Sequence, residues 1–311
     1  MKLRNLLGVA AGTAGLTAVA NRLLTARAGD FEPFLDGAHR TYRWRGFDVA
    51  YTEAGDPDDP DLVLLHGINA AASSHEFHTV IDALAEEYHV LAPDLPGFGH
   101  SDRPPLLYSS SLLTTFVTDF LTDESEDATV VASSLTGAYA TLAASETEID
   151  SLVLISPTAT SMGGGRTWLR SLLRSPLLGQ GIYNLIVSKP SLRHFHDDHG
   201  YYDMDKLTDE VVDYEWTSGH QPGARFAPAS FVSGFLDVDV DLGEKLAELD
   251  VPVTLVWGRD ADITPLSAGR ELADEADARL VVFDDALLLP HVEHPEQFID
   301  VVRGEYEQAV A

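Results

Sequence analysis

No feature narrows the possible folds of this chain as tightly as the run ATVVASSLTGAYATLAA. An apolar, β-branched stretch (Ala128–Ala132) leads into Ser133-Ser134, and small residues then open a helix. β-branched residues fit a buried strand, so the run reads as strand, sharp turn and helix start. Such a turn lifts the Ser134 hydroxyl above a sheet edge and sets the next backbone N–H beside it. A serine is a poor nucleophile until an imidazole takes its proton. The function of the chain therefore turns on where an imidazole and its carboxylate would come from.

The rest of the chain keeps the same rhythm. Thr41–Arg45 and Phe47–Glu53 read as a hairpin turning near Gly46. Short strands are expected at Leu62–Leu65, His89–Pro93, Ser151–Ser156, Val253–Trp257 and Leu280–Phe283. Helices are expected at about 73–87, 110–122, 266–276 and 296–309. Strands alternating with helices predict an α/β fold, a mainly parallel sheet flanked by helices on both faces. Residues 158–248 interrupt this rhythm with a GGG run, an apolar helical stretch around Trp168–Leu178 and the His-rich Arg193–His196. A stretch of that length is too long for a connection and predicts a helical cap inserted over the sheet edge. The division expected is 1–30 as an amino-terminal segment, 31–157 with 249–311 as the core, and 158–248 as the cap.

Charge excludes one class of partner. Asp and Glu number 50 against 20 Lys and Arg, a net charge of −30, which repels phosphate backbones; nucleic acid is not expected to bind. Only four of the cations are Lys, and this balance suits a salty environment, where ions screen the self-repulsion. With no Cys there are no disulfides or thiolate metal sites. The amino terminus carries Lys2 and Arg4, then 15 apolar and small residues from Leu6 to Ala20. It reads as an export signal or a weak anchor through residues 6–24, with a helix packed on the domain as the alternative. Alone, Leu6–Ala20 is shorter than the ~20 residues a bilayer span needs.

Four blocks, LVLLHG, APDLPGFGHSDRP, the SSLTG turn, and the closing pair VTLVWGRDADITP and PHVEHPEQF, stand in an order that resembles the α/β-hydrolase fold family over about residues 41–308. The resemblance implies a nucleophile at Ser134 and an oxyanion hole from the backbone N–H groups of Ile68 and Leu135. It also implies an acid at position 261 and a base at position 288, where this chain has Ala261 and Leu288. Leucine accepts no proton. Leu287 replaces the glycine before the base, and Thr136 replaces a glycine of the turn, which it is expected to crowd.

His291 lies three residues past the base position, up to ~10 Å along an extended chain. It serves only if the loop is rebuilt, with Asp260 or Asp262 as the acid. The first expectation is a hydrolase-fold protein with a degraded triad, weakly active or non-hydrolytic, binding a small apolar carbonyl compound under the cap. An active ester hydrolase using Ser134, His291 and Asp260 or Asp262 is the second; a membrane-surface scaffold is the third. His194, His196 and His199, with Asp197 and Asp198, form a cluster read as solvated cap residues; no metal and no cofactor are expected.

Overall fold

The computed structural model describes residues 3–306, with side chains described from residue 17 onward. The first two residues of the expected signal or anchor, and its side chains before Thr17, lie outside the described residues.

Eight strands form one sheet in the order β1-β2-β4-β3-β5-β6-β7-β8. β1 (Ala38–Trp44) and β2 (Phe47–Ala54) are the expected hairpin, and β2 runs antiparallel to β4 (His89–Pro93). From β4 onward every pairing is parallel, through β3 (Asp61–Leu65), β5 (Thr129–Ser133), β6 (Ser151–Ile155), β7 (Val253–Gly258) and β8 (Arg279–Phe283). All of β5 is buried, because helices cover both faces. Successive side chains alternate between two apolar layers: Val63, Leu65, Val130 and Ala132 join one, Leu62, Leu64 and Val131 the other. The chain leaves β3 toward β4 and returns to β5 on the other side. The ends of β3 and β5 are thus a switch point, where open α/β sheets leave a crevice.

Between β6 and β7 lie the cap helices, among them Thr167–Arg174, Leu178–Ile186, Lys189–Phe195, Asp209–Gly219 and Phe226–Val232. The single apolar helix expected around Trp168–Leu178 is two, because Pro176 forces Ser175 into an extended conformation (ψ 142°). The helix expected at 73–87 is a 3₁₀ turn, Ser74–Phe77, followed by the short Ile81–Leu84. The last helix, Pro295–Val302, stops ahead of Gly304 (φ 74°), several residues short of the expected end.

The amino-terminal segment is one helix, Leu3–Ala28. Its second half packs on the cap: Asn21 donates to the Leu177 carbonyl (3.3 Å) and accepts from Asn184 Nδ2 (2.9 Å). Among the described residues no helix is long and apolar enough to cross a membrane.

Candidate active site

Ser134 stands where β5 ends and the helix Thr136–Ala144 begins, with φ at +53°. A non-glycine residue there is strained by its Cβ, and the surroundings hold it in place. Ser134 N–H donates to Ile155 O (2.8 Å), and its own carbonyl accepts from Gly137 N–H (3.0 Å) and Thr158 N–H (3.3 Å). Thr136, expected to crowd the turn, instead secures it: its hydroxyl donates to His66 O (2.7 Å) and ties the turn to the loop after β3. Gly137 supplies the missing room, since a Cβ there would lie 2.9 Å from Pro157 Cβ.

The loop after β3 passes close to the serine, with Gly67 so placed that a Cβ would sit 3.4 Å from Ser134 Cβ. Both backbone N–H groups expected of an oxyanion hole, Ile68 and Leu135, are in buried residues, and neither donates a hydrogen bond among the described residues. Buried backbone donors are nearly always paired. Two donors without an acceptor among the described residues, next to a strained serine, are the kind of group that an oxyanion site requires.

No side chain among the described residues is hydrogen-bonded to Ser134 Oγ. The region expected to hold base and acid is apolar: Ala261 (5% exposed) clusters with Trp257 and Leu266, and Leu288 packs against that cluster. Gly258 lets this corner close, because a Cβ there would lie 2.0 Å from Leu287 O. Positions 261 and 288 thus share one apolar cluster.

His291 is fully buried and turned toward Glu76, with Nε2 3.4 Å from Glu76 Oε1. It packs between Phe77 and Phe298. Asp260 and Asp262 are exposed, so the structure does not bring His291 together with either. Asp262 pairs instead with His199 Nδ1 (3.0 Å). His199 is the cap residue whose carbonyl accepts from Leu288 N–H (3.2 Å). Sequence reading places His199 in a solvated cluster; its neighbour in the fold lies 89 positions away in the chain, out of reach of any local pattern.

The 3₁₀ turn carries two buried acid–imidazole sets that sequence reading missed. Glu76 Oε2 accepts from Gly67 N–H (2.8 Å), in the loop that passes close to Ser134. Burial alone would raise the Glu76 carboxyl; the His291 imidazole, the Ser133 hydroxyl and Gly67 N–H outweigh it and lower it to about 2. One residue earlier, His75 Nδ1 meets Ser73 Oγ (2.7 Å) and His75 Nε2 lies 3.4 Å from Glu215 of the cap. Glu215 also pairs with His196 (2.9 Å). Burial pushes Glu215 up as well, and His196 and His75 overcome it, leaving the carboxyl at about 2. The expected cluster is therefore split: His196 turns inside to Glu215 and His199 to Asp262, while His194, Asp197 and Asp198 stay together and exposed, their ligand atoms within 4.8 Å of one another.

A cleft of about 430 Å³ opens beside the end of the amino-terminal helix, lined by Phe31, His100, Asp102, Arg103 and Gln221. A smaller one beneath the cap, by Ala71, Phe98 and Tyr183, holds about 10 Å³, barely one water. Ser134 lines neither.

A family model described as alpha/beta hydrolase family matches residues 62–301. The chain is 30% identical over 258 residues to a pimeloyl-[acyl-carrier protein] methyl ester esterase of Aeromonas hydrophila, covering 78% of this chain and 94% of that protein. It is 23% identical over 270 residues to a 2-hydroxy-6-oxo-6-(2'-aminophenyl)hexa-2,4-dienoic acid hydrolase of Metapseudomonas resinovorans, covering 81% and 85%. Its fold is similar to the solved 2-hydroxy-6-oxo-6-phenylhexa-2,4-dienoate hydrolase of Rhodococcus sp. strain RHA1, with TM-score 0.70, 22% identity, and coverage of 88% and 99%.

Proposed function

This chain belongs to the alpha/beta hydrolase family, and on that premise we propose that it binds a small apolar carbonyl compound at Ser134 while hydrolysing it slowly or not at all. The observation carrying this reading is the shared apolar cluster of Ala261 and Leu288, at the positions where the family places acid and base. A serine without a base is a hydroxyl, and losing triad members costs a factor of ~10⁴ or more in rate. The oxyanion donors act without the triad: the Ile68 and Leu135 amides still favour a carbonyl oxygen. Of the relatives, one is an esterase of a pimeloyl-[acyl-carrier protein] methyl ester and one a hydrolase of a dienoic acid, and both substrates carry carbonyl groups. The net charge of −30 favours an environment of high ionic strength, so assays span 0.2 to 3 M KCl.

In those assays short p-nitrophenyl esters should turn over within about tenfold of buffer, and Ser134→Ala should change nothing. A short aliphatic ester should still shift the Ile68 and Leu135 amide resonances. Turnover abolished by Ser134→Ala would end this reading.

The His199–Asp262 pair favours a second one, an active ester hydrolase whose base comes from the cap. It predicts fluorophosphonate labelling of Ser134 that His199→Ala removes. If labelling survives that change and is lost in His291→Ala, the base is His291, whose carboxylate neighbour is Glu76.

A further inference from the structure

Charge is unevenly spread along this acidic chain. Residues 1–29 and 151–196 contain none of the 50 acidic residues and nine of the 20 basic ones. These two stretches lie 121 positions apart in the chain, yet the fold joins them. The amino-terminal helix packs on the cap helix Leu178–Ile186 through Asn21, Asn184 and Thr17, whose Cγ2 would lie 3.3 Å from a Cβ at Gly181. The cap helices Thr167–Arg174 and Leu178–Ile186 follow each other across Pro176. Arg174 reaches the carbonyls of Pro105 and Leu106 and brings that loop alongside.

The same elements carry most of the exposed large apolar side chains. Trp168 is 68% exposed, Leu185 72% and Leu23 65%, with Leu107 and Leu178 close behind. The cations among them lack counterions: Arg22, Arg27, Arg166, Arg170 and Arg174 have no carboxylate partner among the described residues. Farther along the cap, Lys189 and Arg193 do pair, with Asp213 and Asp209. In a chain with two and a half acids per base, arginines that find carbonyls and rings but no carboxylate, among exposed Leu and Trp, mark a surface whose counter-charge lies outside the molecule.

We propose that this face, built from the amino-terminal helix, the first two cap helices and the 105–107 loop, docks on the surface of an anionic lipid bilayer. Trp and Leu enter the headgroup–acyl boundary and the arginines meet lipid phosphates, as amphipathic interfacial elements do. The acid-rich remainder is repelled by the same surface and fixes the orientation. The protein lies on the membrane and does not cross it, in keeping with the absence of a spanning helix among the described residues.

The test uses the full chain in flotation with phosphatidylcholine vesicles and with 7:3 phosphatidylcholine–phosphatidylglycerol vesicles in 0.2 M KCl. Binding should be at least tenfold stronger to the anionic vesicles and should weaken in 2 M KCl. The double variant Arg22→Glu/Arg166→Glu should lower it tenfold or more with an unchanged Tm. Brominated lipid chains should quench the fluorescence of the protein, and Trp168→Phe should remove most of that quenching, because Trp44 and Trp257 are buried and Trp216 is half-buried between His220 and Lys189. Equal binding to both vesicles, or full binding by both variants, would overturn the proposal. So would a change of oligomeric state in the variants with no lipid binding by the parent, which would assign the face to a second copy of the chain.

Discussion

Installing Leu288→His and Ala261→Asp together should raise the rate of p-nitrophenyl ester hydrolysis at least a hundredfold over the parent, with the gain abolished by Ser134→Ala. The nucleophile position is already strained into its turn, and the Ile68 and Leu135 amides are unpaired. On the proposed reading the serine lacks a proton acceptor, and positions 261 and 288 already touch the same apolar cluster. A working triad contributes ~10⁴ or more, so a hundredfold gain allows for imperfect alignment, including Leu287 in place of a glycine. The two changes should be strongly non-additive. Ala261→Asp alone buries a carboxylate without a partner and should destabilise by several kcal/mol, of order 2–5. Adding Leu288→His supplies the partner and recovers part of that loss. A double-mutant cycle on kcat/KM and on Tm measures both terms. Gains that simply multiply, or a gain that survives Ser134→Ala, would mean that position 288 does not face the serine.

Glu76→Ala should destabilise the protein more than any surface change, by about 3–5 kcal/mol, roughly 10 °C in Tm. The substitution leaves His291 buried without its carboxylate and Gly67 N–H without its acceptor. Because Gly67 precedes Ile68, it should also disorder the loop that carries one of the two proposed oxyanion donors. The same carboxylate sets an acid limit. Its folded-state value of about 2 lies below the ordinary 4.5, so its contribution is complete above pH ~4.5 and is lost as pH falls toward 2. A depression of this size corresponds to ~3 kcal/mol. Glu215 behaves alike, through His75 and His196. Urea midpoints for the parent should therefore drop steeply between pH 4.5 and pH 2, and Glu76→Gln should flatten that slope. Parallel slopes in parent and variant would show that Glu76 is not held charged.

These two acid–imidazole sets share one 3₁₀ turn, and the turn joins core to cap. His75 faces Glu215 on a cap helix, and Glu76 faces His291 at the start of the last core helices. The residues holding the serine loop in place are thus also those holding the cap down. A change that loosens one should loosen the other, which is one physical reason to retain charged groups in so buried a place.

Local pattern alone determined much of this protein. The alternation of strands and helices, the serine turn between β5 and its helix, and the placing of Ala261 and Leu288 just after the last two strands are all encoded within stretches of about ten residues. Backbone periodicity and motif order act at that range. Tertiary structure alone decided the rest. It turned His291 inward to Glu76, brought His199 from the cap to Asp262, and laid the amino-terminal helix on the first cap helices. It also made Thr136 a tether through the His66 carbonyl. Each of these pairings joins residues more than 60 positions apart. A side chain's partner at that distance is set by how the layers pack, and the pattern around it in the chain carries no information about which group the packing will bring.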